Sequence, residues 1–222
     1  MNATLTRTWS AILFDLDGTI TDSAPAITSS LARTFALLGR PVPSAADLLA
    51  YVGPPMLDAF QKYAGMTADE AAEAIAVYRT EYHGAASLDT AIFPGVAGLL
   101  ESIHAAGIPL ALATSKPELS AIDILAHFDL AQYFTATVGA SADDTRTNKA
   151  DIVAEALARL AATGVDISGA VLVGDRSYDA VGAQANGIPA ILVEWGYGSP
   201  AEAEAATAVV HSTDQLRKLL LG

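Results

Sequence analysis

The sequence predicts an α/β fold: a Rossmann-like parallel sheet with a small all-helical domain inserted into it. Short apolar runs that end at turn residues alternate with segments of helical spacing, which is typical of a parallel sheet covered on both faces. The connection from the first strand to the second, near Pro109, is far longer than a crossover needs, so it must hold further structure. Hydrophobic residues make up 52% of the chain and charged residues 17%, which indicates a folded core.

The core elements follow from the apolar runs and their spacing. Strands are predicted at about 10–14, 109–113, 135–139, 170–174 and 189–193. Helices are predicted at about 96–106, 117–127, 148–162 and 177–186. In the third of these helices one face is apolar, formed by Ile152, Val153, Ala156, Leu157 and Leu160. The segment Ala201–Ala206 is predicted to be a short solvated helix.

The long connection is predicted to be helical, because apolar residues recur in it at helical spacing. One face comprises Ile27, Leu31, Phe35 and Leu38, and another comprises Ala71, Ile75, Tyr78 and Tyr82. We therefore predict an α/β core domain at 1–23 and 89–222 and a helical cap domain at 24–88, with hinges near 23–25 and 88–95. The segment Tyr51–Met56 is either a loop that approaches the active site or a tight turn between helices.

Two carboxylates follow the first strand and carry the strongest functional signal. Asp15 and Asp17 are two residues apart in an extended segment, so their side chains point the same way into the Gly18–Thr19 turn. Anions held this close repel each other unless a cation lies with them or one holds a proton. The pair suits a Mg²⁺ site, and it suits a nucleophile beside a general acid–base group.

Three further motifs lie at predicted strand ends or helix starts. Thr114–Ser115 closes the second strand ahead of Lys116 and Pro117, Lys149 opens a helix, and Asp175 and Asp179 follow the strand at 170–174. Ligands of parallel sheets bind at the carboxyl ends of the strands, near the point where strand order reverses. Asp15, Thr114 and Asp175 are therefore expected to meet at one edge of the sheet.

The four motifs, in this order, resemble those of the haloacid dehalogenase superfamily, in its helical-capped branch similar to phosphoglycolate phosphatases and 5′-nucleotidases. The resemblance extends from about Ser10 to the C-terminus. It implies Asp15 as nucleophile, Asp17 as general acid and base, and Lys149 as a charge clamp on the phosphoryl group. It also implies phosphate contacts from Gly18, Thr114, Ser115 and Lys116. Mg²⁺ would be held by Asp15, Asp175 and the backbone carbonyl of Asp17, with Asp179 supporting Lys149 or a metal-bound water.

Structural alternatives remain at several of these positions. Asp17 and Gly18 also suit a plain turn, and Thr114–Ser115 also suits a helix N-cap, with Pro117 in the first helical turn. Lys149 taken alone would be a solvated surface residue. Asp175 and Asp179 could be a helix N-cap and an exposed helix residue.

The predicted function is Mg²⁺-dependent hydrolysis of a small phosphomonoester through an aspartyl-phosphate. Phosphoglycolate, a nucleoside monophosphate and a sugar phosphate remain open as substrates. The alternatives are a phosphomutase of the β-phosphoglucomutase kind and a non-catalytic module that binds phosphate and Mg²⁺. A dehalogenase is disfavoured, since that branch of the superfamily lacks the second aspartate.

Charge and composition restrict the partners. The net charge of −13 argues against nucleic acid and anionic membranes, and no segment has the length of a membrane helix or the pattern of a signal peptide. The chain has no cysteine, which is compatible with the expected cytoplasmic location. We therefore expect a small phosphorylated metabolite as partner, and the oligomeric state is not predicted.

Overall fold

A computed structural model describes residues 9–82, 88–143 and 145–222. Its main sheet has six parallel strands in the order β5-β4-β1-β6-β7-β8. These strands are β1 (Ala11–Phe14), β4 (Leu110–Pro117), β5 (Phe134–Ala140), β6 (Ala170–Gly174), β7 (Ala190–Val193) and β8 (Ala208–Val210). A separate antiparallel ribbon pairs β2 (Thr21–Asp22) with β3 (Ala91–Ile92). The predicted fold class is confirmed, whereas β8 was not predicted.

Helices cover both faces of the main sheet. They are α5 (Val96–Ala105), α6 (Glu118–His127), α7 (Lys149–Ala162), α8 (Ser177–Ala185) and α9 (Thr213–Leu221). The first four confirm the predicted helices to within two residues at each end, and α9 was not predicted. A 3-10 helix at Pro200–Ala205 lies where a short solvated helix was expected.

Successive residues of β1 enter different hydrophobic clusters, because side chains of a strand alternate between its two faces. Ile12 and Phe14 pack in the cluster that contains residues of α5, α6 and α9. Ala11 and Leu13 pack in the cluster formed with α7 and α8. The predicted apolar face of α7 is buried in the second cluster. Both faces of the central strand are therefore dry, and only its carboxyl end can present polar groups.

Between β2 and β3 the chain forms a helical unit with a hydrophobic cluster of its own. Its helices in the described residues are α1 (Ala24–Leu37), α2 (Ala45–Leu49), α3 (Met56–Ala64) and α4 (Ala68–Tyr82). Its centre is aromatic: the rings of Phe35, Tyr51 and Phe60 lie 5.8–6.0 Å apart. We call this unit the cap. The predicted boundaries at 23/24 and 88/89 stay a prediction, and part of the cap's return to the core falls outside the described residues.

The β2–β3 ribbon lies where the chain leaves and re-enters the core. The Phe93 amide donates to the Ile20 carbonyl at 3.0 Å, and the Thr90 hydroxyl donates to the Asp22 carbonyl at 2.9 Å. Both ends of the cap are thus joined at Ile20 and Asp22, a few positions along the chain from Asp15. No helix in the described part of the chain combines the length and the apolar character needed to cross a bilayer.

Candidate active site

The carboxyl edge of the main sheet gathers the predicted site residues. Asp15 directly follows β1, Asp175 directly follows β6, and Thr114 lies near the end of β4. Strand β1 lies between β4 and β6, so the connections run to opposite sides of it and the strand order reverses there. A crevice at such a reversal is the usual ligand site of a parallel α/β sheet.

Lys149, the first residue of α7, bridges two aspartates. Its Nζ lies 2.6 Å from Oδ1 of Asp15 and 2.7 Å from Oδ1 of Asp179. All three side chains are buried, with 3–6% of each exposed. Asn148 caps the helix by accepting from the Asp151 amide at 2.9 Å, which fixes where α7 begins. Lys149 is therefore buried in the acidic cluster, and the alternative of a solvated surface lysine is wrong.

Asp179, in the first turn of α8, also holds the loop that follows β6. Its Oδ2 accepts from the amides of Asp175 and Arg176, at 3.1 and 3.0 Å. Because its other oxygen binds Lys149, one carboxylate links this loop to the lysine. Of the two roles that the resemblance left open for Asp179, the geometry favours support of Lys149.

Burial and mutual repulsion raise the pKa values of two carboxyl groups in the acidic cluster. Burial raises the pKa of Asp15 to about 7, against the opposing effect of Lys149 and with added repulsion from Asp179 and Asp17. Burial, together with Asp179 and Asp15, raises the pKa of Asp175 well above its usual range. Carboxylates held this close repel each other unless a cation lies with them or one holds a proton.

The donor set fits a hard divalent cation. Oxygens of Asp15, Asp175 and Asp179 all lie within 4.8 Å of one another. Oδ1 of Asp175 is buried and has no hydrogen-bond partner among the described residues. Both oxygens of Asp179 are already bound, so Asp15 and Asp175 are the side chains best placed to ligate an ion. The predicted third ligand, Asp17, would contribute its backbone carbonyl.

Asp17 is held by a second buried lysine. Nζ of Lys116 lies 2.9 Å from each carboxylate oxygen of Asp17, and the Ser23 hydroxyl donates to Oδ1 at 2.5 Å. The same Nζ donates to the hydroxyl of Tyr82, in the last turn of α4, at 2.8 Å. In this arrangement Lys116, predicted as a phosphate contact, neutralises Asp17 and reaches the cap.

Thr114 and Ser115 are strand residues. The predicted alternative, a helix N-cap formed by this pair, is wrong, because β4 extends to Pro117 and Pro117 itself precedes α6. The register between β4 and β5 shifts between Ala113 and Pro117, so this end of the strand is irregular. The Thr114 hydroxyl accepts from the Lys116 amide at 3.3 Å, whereas the buried hydroxyl of Ser115 has no partner among the described residues.

Gly18 belongs to a tight turn. Its amide donates to the Thr21 carbonyl at 2.8 Å. That N–H is therefore not free for the phosphate contact that was expected of Gly18. The residue has φ +86°, and a Cβ there would lie 2.2 Å from Oδ2 of Asp175. Only glycine allows this approach of the turn to Asp175.

Four residues that the sequence did not single out as site residues contact the site. Tyr82 and Ser23 reach Lys116 and Asp17, as described above. The Tyr197 amide donates to Oδ2 of Asp175 at 2.7 Å, and its hydroxyl donates to Asp22 at 2.8 Å. Arg176 is buried next to Asp175. Tyr82 was visible as part of an apolar helix face, but no local pattern marked the other three.

A parallel sheet with buried aspartates and lysines at its carboxyl edge, and a helical insert after the first strand, is typical of an enzyme active site. The chain belongs to the haloacid dehalogenase-like hydrolase family, whose sequence model matches residues 12–193. The predicted family and enzyme class, a phosphoric monoester hydrolase, are confirmed.

The relatives bear different names. The 5′-nucleotidase of Pseudomonas aeruginosa is 36% identical over 211 residues, covering 94% of this chain and 94% of the relative. The tyrosine-protein kinase PtkA of Mycobacterium tuberculosis is 40% identical over 213 residues, covering 94% and 72%. A solved structure described as a predicted phosphatase from Clostridium acetobutylicum superposes with a TM-score of 0.90 at 36% identity, covering 96% of this chain and 98% of that one.

Proposed function

We propose that the protein hydrolyses a small phosphomonoester with Mg²⁺ as cofactor and an aspartyl-phosphate as intermediate. The observation that carries this proposal is the placement of Lys149 between Asp15 and Asp179, in an acidic cluster that also contains Asp175. A nucleophilic carboxylate, a cation beside it and a metal-ligand set are then within reach of one phosphoryl group.

Mg²⁺ would be held by Asp15, Asp175 and the backbone carbonyl of Asp17. When bound, it supplies positive charge that polarises the phosphoryl oxygens and offsets the repulsion between the carboxylates. The unpartnered oxygen of Asp175 supports this assignment.

The reaction divides into two displacements at phosphorus. In the first, a carboxylate oxygen of Asp15 forms a bond to phosphorus, the bond to the leaving oxygen breaks, and Asp17 gives that oxygen a proton. In the second, water bonds to phosphorus as its proton passes to Asp17, and the bond to Asp15 breaks. Lys149 neutralises charge beside Asp15 throughout, and the hydroxyls of Thr114 and Ser115 would donate to the phosphoryl oxygens.

Asp17 must change partners for this sequence of steps. It is bound here by Lys116 and Ser23, which suits the carboxylate form that acts as a base. The acid role requires that Asp17 take up a proton and that the Lys116 ammonium move away. Lys116 is then available to the phosphate, which agrees with its predicted role.

Burial of the site supports a small substrate. Asp15, Asp17, Thr114 and Asp175 are each at most 7% exposed, and Tyr82 of the cap lies over Lys116. Closure of this kind excludes bulk water and leaves room for a metabolite rather than a large surface. The names of the relatives keep a nucleoside monophosphate and phosphoglycolate as candidates. The cytoplasmic location stays a prediction.

The test is phosphate release from a panel of phosphorylated metabolites, with Mg²⁺ and with EDTA. We expect release by the natural chain with Mg²⁺, loss of release in EDTA, and loss in Asp15→Asn. Asp123→Asn, on an exposed position of α6, is the matched control and should retain activity.

Activity that survives Asp15→Asn would remove the aspartyl-phosphate from the mechanism. A sugar phosphate that isomerises without net release of phosphate would identify the mutase alternative. Tight binding of a phosphomonoester with no turnover would identify the binding module instead.

A further inference from the structure

Arg176 is a buried cation to which the reaction assigns no role. It directly follows Asp175 and is 7% exposed. Its backbone amide donates to Oδ2 of Asp179 at 3.0 Å, the carboxylate that also holds Lys149. The start of its side chain is therefore fixed to the acidic cluster.

The guanidinium of Arg176 leaves the core and ends at the cap. Its Nη1 donates to the backbone carbonyl of Val52, in the segment Tyr51–Met56 that connects α2 to the first residue of α3. The next residue of this segment, Gly53, has φ +102°, and a Cβ there would lie 3.0 Å from Cγ of Arg176. The segment thus packs its backbone directly on the arginine.

A second core residue holds the guanidinium in this direction. Nε of Arg176 donates to Oε2 of Glu202 at 2.9 Å. Glu202 also accepts from the amides of Ser177 and Ser199, each at 3.1 Å, so its carboxylate is itself fixed. Arginine suits this position because its planar fork presents N–H groups in two directions at once, which a lysine ammonium cannot match.

A continuous set of hydrogen bonds therefore joins the cap to the proposed nucleophile. It runs from the Val52 carbonyl through Arg176 and Asp179 to Lys149, and from Lys149 to Asp15. A buried hydrogen bond to a charged group is among the stronger contacts between two units of a protein.

We propose that Arg176 is a positioning residue that fastens the segment Tyr51–Met56 to the core and so holds the cap closed over the site. Its contact is separate from the one between Lys116 and Tyr82, which belongs to the catalytic groups. The effect on closure does not depend on the reaction, whereas the kinetic effect rests on the proposed function.

Closure can be measured as a distance, because the chain contains no cysteine. The distance is measured between two spin labels, one at Leu37→Cys in the cap and one at Leu119→Cys in α6. These positions suit labels because they are 66% and 72% exposed. We expect a single distance in the parent. In Arg176→Gln we expect a longer distance that outweighs the parent distance by about tenfold. Arg176→Lys keeps the charge and should show the same longer distance.

Arg217→Gln is the matched control. Arg217 also donates to a backbone carbonyl on another element, Gly98 at 3.1 Å, but both partners lie in the core. Its distance distribution should equal that of the parent. Gly53→Ala disturbs the contact from the cap side with Arg176 intact, and it gives the same measurement if the arginine variants do not fold.

Unchanged distances in the variants that fold would overturn the proposal.

Measurement of KM and kcat separates an effect on cap closure from general damage to the site. For Arg176→Lys we expect a KM raised about tenfold and a kcat within about twofold of the parent, because closed enzyme is rarer but intact. A lowered kcat at unchanged KM and unchanged distances would assign Arg176 a purely structural role beside Asp175. Longer distances in a chain that releases no phosphate would keep this inference and reject only the proposed function.

Discussion

At the scale of single residues, two aspartates two positions apart have different surroundings. Asp15 is bound by Lys149, whereas Asp17 is bound by Lys116 and Ser23. Each carboxylate therefore has its own lysine, and the two lysines come from different segments of the chain. In the proposed reaction this separation lets one aspartate act as nucleophile while the other exchanges protons.

The role of Asp17 predicts a dependence on the leaving group. Asp17→Asn should slow hydrolysis of an alkyl phosphate by about 10²–10⁴-fold, because the leaving alkoxide needs a proton. It should slow p-nitrophenyl phosphate far less, since that leaving group is stable as an anion. Steady-state kcat/KM for both substrates checks this. Ser23→Ala removes one hydrogen bond but keeps the acid, and it should affect the two substrates alike. Equal losses in Asp17→Asn would contradict the general-acid role.

The close approach at Gly18 predicts a second effect. Gly18→Ala should destabilise the fold and displace Asp175, because its Cβ would lie 2.2 Å from that carboxylate. Gly39→Ala is the control, since Gly39 also has positive φ, +64°, but nothing lies within 4 Å of a Cβ there. Denaturant unfolding should show a cost of about 1–2 kcal/mol for Gly39→Ala and a larger one for Gly18→Ala. Mg²⁺-dependent activity should fall only in the latter. Equal costs in the two variants would reject the steric effect.

At the scale of elements, the start of α8 is held by acidic side chains from within and outside the helix. Asp179 accepts from the amide of Arg176, and Glu202 accepts from the amide of Ser177. Both satisfy N–H groups that a helix start leaves without partners, and both are favoured there by the helix dipole. The helix start thereby fixes the loop that carries Asp175.

The carboxylate of Glu202 at the N-terminus of α8 predicts a pH dependence of stability. Burial alone would raise the pKa of Glu202, but hydrogen bonds from Arg176 and from the Ser177 and Ser199 amides outweigh it and lower the pKa from 4.5 to about 2. A carboxyl whose pKa is lower in the folded state stabilises the fold above its unfolded pKa, and this stabilisation is lost as pH falls through the folded value. Glu202→Gln should therefore be less stable than the parent at neutral pH.

The difference in melting temperature between the parent and Glu202→Gln should shrink as pH is lowered from 4.5 towards about 2. Thermal unfolding of both proteins across this range provides the measurement. A difference that stays constant with pH would show that Glu202 acts by packing alone.

At the scale of the whole molecule, an acidic surface surrounds a site with buried cations. The net charge is −13, while Lys116, Lys149 and Arg176 are each at most 7% exposed. The long-range field therefore repels a phosphorylated substrate, and attraction begins only close to the site. The cap contacts two of these buried cations, through the Tyr82 hydroxyl on Lys116 and the Val52 carbonyl on Arg176.

This charge distribution predicts the effect of salt. Raising NaCl from about 10 to about 150 mM at fixed Mg²⁺ should increase kcat/KM for p-nitrophenyl phosphate, because salt screens the long-range repulsion more than the short-range attraction. The increase should appear in kcat/KM and not in kcat. A decrease with salt would show that the cations of the site dominate the encounter.

Much of the site was predictable because its signals are local. A buried strand followed by a turn marks Asp15 and Asp175, whereas Lys149 was predicted only from its order among the motifs. The ends of parallel strands meet at one edge, so their convergence follows from the fold class. The short strand β8 and the helix α9 were missed, and so was the bound amide of Gly18, which depends on the shape of one turn.

The sequence by itself determined the fold class and the family, and it predicted the aspartates and the lysine of the proposed reaction, because strand ends, turns and motif order are encoded in the sequence itself. The tertiary structure alone decided which cation serves which carboxylate and where the cap meets the core. Lys116 reaches Asp17 across 99 positions of the chain, and Arg176 reaches Val52 across 124. Such contacts depend on the packing of whole elements and on the direction of long side chains, which no local pattern specifies.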